Sequence, residues 1–257
     1  MPHSWDPDRY LTFADERGRP FVELLARIDA TAPSTVVDLG CGPGNMTDLL
    51  AQRWQAARVV GIDASAAMIA RARSRGSAVD YRVDDVATWT APEPVDVLVS
   101  HATLQWVPDH LELLPGLVGQ VTPGGWFAFG VPANFDEPSH TLREELAAEA
   151  PYAEQTAGVA SPQAFDAATY LHALTGLGCT VDAWETTYLH QLSGPDPVFT
   201  WISGTSARPT LAALDAELRP RFEAELKRRL DAAYEATPAG VVLPFRRVFV
   251  VARTPHP

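Results

Sequence analysis

The chain has 257 residues, 46% of them hydrophobic, and a formal charge of -12 at pH 7. That length and apolar content permit a sizeable core, as one α/β domain or one domain with insertions, and exclude a disordered or fibrous protein. The negative charge repels phosphate backbones and anionic lipid head groups, so no nucleic acid and no membrane is expected as partner, and a small-molecule ligand is the default.

The N-terminal stretch MPHSWDPDRY has neither the basic nor the apolar region of a secretory signal, and no apolar run approaches the roughly 18 residues of a membrane span, so a cytoplasmic protein is expected. PFVELLARID, residues 20–29, places Phe21, Leu24, Leu25 and Ile28 at helical spacing behind Pro20,. Residues 35–39 predict a strand, and NMTDLLAQRW predicts a helix with Met46, Leu49, Leu50 and Trp54 on one side. The alternation continues with strand RVVGID, helix SAAMIARARSRG, strands VDYRVDD and VDVLVSHA, helix HLELLPGLVGQV and strand GGWFAFGVPA. Such alternation predicts a doubly wound, mostly parallel sheet with its ligands at the carboxyl ends of the strands.

Beyond residue 134 the rhythm changes. Two helix-rich stretches precede and follow the strand CTVDAWETTYLHQL, and the last strand is VVLPFRRVFVVART. The two strands are split by roughly 50 residues, more than a usual connection, which points to an inserted helical cap. The expected organisation is a cofactor-binding core with its N-terminal segment over 1–134, caps over 135–180 and 195–240, and core strands in 181–194 and 241–257.

Between the first strand and its helix lies VVDLGCGPGN, with Gly40, Gly42 and Gly44 at alternate positions. A dinucleotide fingerprint would need glycine where Asn45 stands. The three glycines permit positive φ and bring the main chain close to a ligand. Asp38 at the strand end would repel a diphosphate and attract an ammonium or sulfonium group. Cys41 sits inside the loop, where a disulfide with Cys179 would spoil its geometry, and a reducing compartment fits.

Asp63, roughly 20 residues farther on, ends its strand where a ribose would offer two hydroxyls, and it also suits a cap for the following helix. Of Asp84 and Asp85, which strand alternation would turn to opposite faces, Asp85 is favoured to accept from an adenine amino group. The amide of Val86 would donate to the ring, and Met68 would cover one ring face. Together these positions describe a nucleoside with a cationic, amino-acid-like tail and no phosphate.

Through VVDLGCGPGN, GIDAS and VDDV the chain resembles the class I S-adenosylmethionine-dependent methyltransferases. Through WDPDRYLTF, RPFVELLARI, LQWVPDH, LLPGL, WETTYLHQL, GTSARP and PFRRVFVVAR it is similar to their trans-aconitate-methylating branch over nearly its whole length. The resemblance implies a Rossmann-like seven-stranded sheet, S-adenosyl-L-methionine as cofactor with S-adenosyl-L-homocysteine as product, and a small polycarboxylate substrate. It implies that Trp5, Tyr10 and Phe13 form a lid over the cofactor, where the plain alternative is a segment pinned to the body. One departure is His101, where the family is expected to carry a small amide residue before Ala102, beside the methionine tail.

In this fold class the last strand runs antiparallel, which brings its first residues to the ligand edge. Arg246 and Arg247 start that strand, His190 ends the preceding one, and Asn134 follows FAFGVP. Arg208, Arg143 and His140 belong to the inserted segments, and Trp106 follows a strand end, with core packing as its alternative. For each arginine a surface ion pair is the competing reading; several converging on one edge of an acidic protein point to an anion clamp. Arginine suits that role, the chain having one lysine, Lys227,. His110 reads as a surface or capping residue without chemistry. Esterification of a carboxylate needs no general base, since the group is already ionised at neutral pH; no metal is expected. Methylation of a hydroxyl or carbon would need a base such as His190 or His140, and a non-catalytic cofactor-binding regulator is the alternative outside the enzymes.

Overall fold

Strands β1 (Thr35–Leu39), β4 (Val95–His101) and β5 (Val121–Pro132) supply much of the buried core, with Val36, Leu39, Val97, Leu98, Val99, Phe127 and Phe129 at most 1% exposed. Burial on both faces explains why they read as apolar runs rather than as alternation. The computed structural model describes residues 14–256, with side chains from residue 18. The segment carrying Trp5, Tyr10 and Phe13 lies outside the described residues.

β2 (Arg58–Asp63) and β3 (Asp80–Val83) extend the parallel part of the sheet. β1 lies parallel to both β2 and β4, with Asp38 opposite Gly61 on one side and Val99 on the other, and β4 lies parallel to β5. After β6 (Thr180–Leu192) come the two-residue β7 (Ala236–Thr237) and β8 (Gly240–Arg253). The order across the sheet is β3-β2-β1-β4-β5-β8-β6, with β7 paired to β8. β8 runs against β5, as expected: Gly124 N donates to Pro255 O and Thr254 N to Gly125 O at one end, and Ala133 N to Arg246 O at the other.

Among the described residues the sheet path holds the seven strands expected, and the two-residue β7 pairs with β8 off that path. Two details differ from the sequence reading. The helix expected to open at Pro20 is α1, Ala14–Leu25, with the proline inside it. Burial of Phe21, Leu24, Leu25 and Ile28 proceeds as the spacing predicts and offsets the hydrogen bond that Pro20 cannot donate,. HLELLPGLVGQV divides into a 3-10 turn, His110–Leu113, and α4, Leu114–Val118, because Pro115 has no N–H for the preceding turn,.

The chain forms two compact units. Of the described residues, the first holds those up to Pro132, Ala164–Thr186 and those from Val248. Here α2 (Thr47–Arg53) follows β1, α3 (Ala66–Arg73) follows β2, and α7 (Ala167–Thr175) precedes β6. The second unit holds Ala133–Gln163 and Thr187–Arg247. Its helices are α5 (Pro138–Ala147), α6 (Ala153–Thr156), α8 (Pro197–Ser203), α9 (Arg208–Ala213) and α10 (Leu218–Ala233). α10 packs on α5 and buries Phe222, Leu226 and Leu230. Among the described residues no helix is long and apolar enough to cross a membrane.

Candidate active site

At the end of β1 the chain turns through Gly40, Gly42 and Gly44 with φ of +89°, +54° and +83°, a region that costs other residues roughly 1–2 kcal/mol. The three glycines differ in what surrounds them. A Cβ at Gly40 would strike Thr103 and one at Gly44 would strike Tyr81, so these two serve close packing within the protein. A Cβ at Gly42 would meet nothing within 4 Å. Of the three, only Gly42 has open space where a side chain would stand.

Asp63 fixes that loop. Its Oδ2 accepts from Gly42 N at 2.9 Å and its Oδ1 from Ser65 N at 2.8 Å, while Ser65 Oγ caps α3 by accepting from Met68 N. Each carboxylate oxygen retains a lone pair for a ribose hydroxyl. Burial raises the Asp63 carboxyl, against the pull of the two N–H groups.

Asp38 is only 2% exposed and accepts from the Thr47 hydroxyl at 2.6 Å. Burial pushes its carboxyl up to about 7; the Thr47 bond opposes that shift and the charge of Asp63 adds to it. A cation beside it would restore its charge, which is what an ammonium would do. Cys41 and Cys179 are free and buried, and burial raises both thiols.

Past β3, Asp84 and Asp85 are both exposed. Strand alternation does not separate them, because β3 has already ended at Val83. Asp85 closes a turn: its Oδ1 accepts from Ala87 N, and its carbonyl from Thr88 N and Trp89 N. Val86 and Met68 are buried, and Met68 at 3% exposure leaves little surface for a purine.

After β4, Ala102 adopts φ +54°, and its N–H donates to Gly130 O. Thr103 Oγ1 donates to Gly40 O at 3.3 Å and Ser100 Oγ to Leu39 O at 2.7 Å, so the β4 turn is bonded to the glycine loop. This is where the sheet order reverses, between β1 and β4, the place where open α/β sheets bind ligands. The His101 ring packs edge-on to Phe21 with centroids 5.5 Å apart. His110 is fully buried and not a surface cap. Its Nδ1 lies 3.3 Å from Val107 O and its Nε2 2.6 Å from Tyr170 Oη, and burial lowers its pKa.

In the second unit β6 and β8 build a different surface. On β6, Tyr188 and His190 share a face at period two; the His190 ring lies 4.6 Å from Trp201 and 5.6 Å from Phe245. On β8, Phe245 and Arg247 share a face, with the guanidinium 4.8 Å above the Phe245 ring. Arg247 is 4% and His190 7% exposed. Arg246 projects from the opposite face of β8, so the two adjacent arginines do not form one clamp. Asn134, 1% exposed, follows the residue whose N–H bonds Arg246 O.

Arg143 on α5 is 1% exposed; its Nη1 donates to Ser206 O and its Nη2 to Glu144 Oε1 at 2.7 Å. His140, one turn earlier, packs edge-on to Phe135. Burial, with the Arg143 charge second, pushes its imidazole down to about 3. It is neutral at pH 7 and a poor proton acceptor. Arg208 is half-buried at the start of α9.

Residues 36–125 match the family described as a methyltransferase domain. The chain is 48% identical over 259 residues to the trans-aconitate 2-methyltransferase of Streptomyces avermitilis, which covers 97% of this chain and 96% of that one. It is 50% identical over 257 residues to the enzyme of the same name from Mycolicibacterium gilvum, covering 97% and 98%. The chain belongs to the trans-aconitate 2-methyltransferase family. It is thus an S-adenosylmethionine-dependent methyltransferase. The YcgJ protein of Bacillus subtilis shares the fold at a TM-score of 0.65 and 12% identity, over 93% of this chain and 99% of that one.

Within this member of the trans-aconitate 2-methyltransferase family, Asp38, Gly42, Asp63 and Ala102 stand at one sheet edge. His190 and Arg247 stand in one aromatic frame, and His140 and Arg143 one turn apart on α5. Trp106 closes a 3-10 turn, Leu104–Trp106, in the first unit. Sequence reasoning missed the frame itself, Tyr188, Trp201 and Phe245. A period-two pairing of aromatic with cationic residue on both strands was the available signal.

Proposed function

We propose that the protein transfers the methyl group of S-adenosyl-L-methionine to one carboxylate of trans-aconitate, leaving S-adenosyl-L-homocysteine. The observation that carries the substrate reading is Arg247, a guanidinium 4% exposed and 4.8 Å above the Phe245 ring in a chain of net charge -12. Long-range attraction does not bring a trianion to so acidic a protein, so affinity must come from local buried cations.

Bound cofactor supplies an electrophilic methyl carbon on a positively charged sulfur. The chain's residues hold it: Gly42 admits it, Asp38 meets the ammonium, Asp63 the ribose hydroxyls, and Asp85 with the Val86 amide the adenine. The substrate carboxylate is ionised, so no side chain has to remove a proton. The neutral, weakly basic His140 is consistent with that. Arg247, together with His190 and Asn134, grips carboxylates that do not react and leaves the attacking oxygen unencumbered. A clamp on the attacking oxygen would stabilise the ground state more than the transition state. Trp201 and Phe245 exclude water, which favours a step in which opposite charges cancel. Arg208 and Arg143 are the next candidates for the clamp, and Trp106 for orienting the substrate.

Mass spectrometry of products from a panel of trans-aconitate, cis-aconitate, citrate and isocitrate tests this reading. A monomethyl ester formed fastest from trans-aconitate is expected; a methyl ether, or no preference among the acids, would contradict it.

A further inference from the structure

The turn after β4 contains a polar group that the reading above leaves unused. Gln105 is 4% exposed, and its Nε2 donates to Ala102 O at 2.7 Å. Its Oε1 is buried and has no hydrogen-bond partner among the described residues. A buried acceptor left unsatisfied destabilises the fold that holds it. The turn it braces is itself strained, since Ala102 holds φ +54° without being glycine. Such strain persists where surrounding structure fixes it, and it gathers at ligand sites. Gln105 is one of the residues that fix it.

The unused atom is an acceptor, so its partner must bring an N–H or an O–H. A tricarboxylate trianion has neither, which removes the substrate. The cofactor brings three donors: the adenine amino group, the ribose hydroxyls and the α-ammonium. Adenine and ribose belong to the ends of β3 and β2, at Asp85 and Asp63. Gln105 stands on the β4 turn, which is bonded to the glycine loop through Thr103 Oγ1 and Gly40 O. The ammonium is the donor that remains for that place. Resting on the cofactor reading above, we propose that Gln105 is a cofactor-binding residue: its side-chain carbonyl accepts from the α-ammonium while its amide N–H holds the Ala102 turn. Together with Asp38 it gives the amino-acid end a charged and a neutral acceptor.

The test is calorimetric titration of wild type, Gln105→Leu and Gln105→Glu with S-adenosylhomocysteine and with 5′-methylthioadenosine, which keeps adenine, ribose and sulfur but lacks the amino-acid end. Gln105→Leu is expected to weaken S-adenosylhomocysteine by about tenfold or more and to leave 5′-methylthioadenosine within about twofold. Gln105→Glu, which keeps an acceptor but loses the N–H, is expected to retain S-adenosylhomocysteine better than the leucine variant. Equal weakening of both ligands in Gln105→Leu would mean that the residue only braces the turn, and would overturn the assignment alone, as would no weakening at all. A wild-type protein that binds neither ligand would overturn the cofactor reading and this assignment with it.

Discussion

The glycine loop and the arginine-histidine frame are built by opposite means. The loop is mostly backbone: three positive-φ glycines within five residues, a carboxylate at the end of the same strand, and one aspartate that accepts from the loop's own N–H. The frame is all side chain, and its members Tyr188, His190, Trp201, Phe245 and Arg247 come from two strands and a helix far apart in sequence. Backbone recognition suits a ligand that does not vary. Side-chain recognition can be retuned one residue at a time, which suits a substrate pocket.

Variants can sharpen or break that contrast. The largest effect is expected from Gly42→Val, whose side chain would project into the open space beside the loop. Calorimetry should show no S-adenosylhomocysteine binding, while the melting temperature falls only by the few degrees that a strained φ costs. Normal binding would reduce the loop to a turn. Next comes Asp63→Ala, which removes the ribose acceptor and frees the Gly42 N–H; a loss of roughly 1–3 kcal/mol in S-adenosylhomocysteine affinity is expected, and unchanged affinity would refute the role.

A smaller effect concerns pH. Because the folded-state pKa of Asp38 is raised to about 7, its ionisation costs stability; that cost is absent below the ordinary carboxyl range, grows as pH rises toward 7 and is constant above. A ligand ammonium needs the ionised form, so S-adenosylhomocysteine should bind about tenfold more weakly at pH 6 than at pH 8, and Asp38→Asn should flatten that dependence. A pH-independent affinity in wild type would separate Asp38 from the ligand. Smallest of all, Arg246→Ala should change KM for trans-aconitate by less than about twofold, since its side chain leaves the opposite face of β8. A large rise would show that the frame is wrongly drawn.

The same contrast explains how much was legible in the sequence. VVDLGCGPGN and Asp63 could be placed because strand, glycine conformation and helix start are local properties, and the antiparallel last strand came with the fold. Arg246 and Arg247 could not be told apart without the strand's facing, although Phe245 and Arg247 at period two held the hint. His110 looked like a surface residue because nothing nearby in sequence announces Tyr170, sixty positions on. Met68 sits with Ile69 and Ala72 on a buried face of its helix, a packing role that its helical spacing announces.

The central claim is that the substrate's anion is held by the buried guanidinium of Arg247 independently of the cofactor loop. Initial rates of Arg247→Ala over a range of trans-aconitate concentrations, with S-adenosylhomocysteine affinity measured on the same preparation, test it directly. Losing a buried charged hydrogen-bonding partner should cost on the order of 2–5 kcal/mol. KM is therefore expected to rise at least about thirtyfold with cofactor affinity unchanged. A wild-type KM, or a fall in cofactor affinity of matching size, would contradict the account.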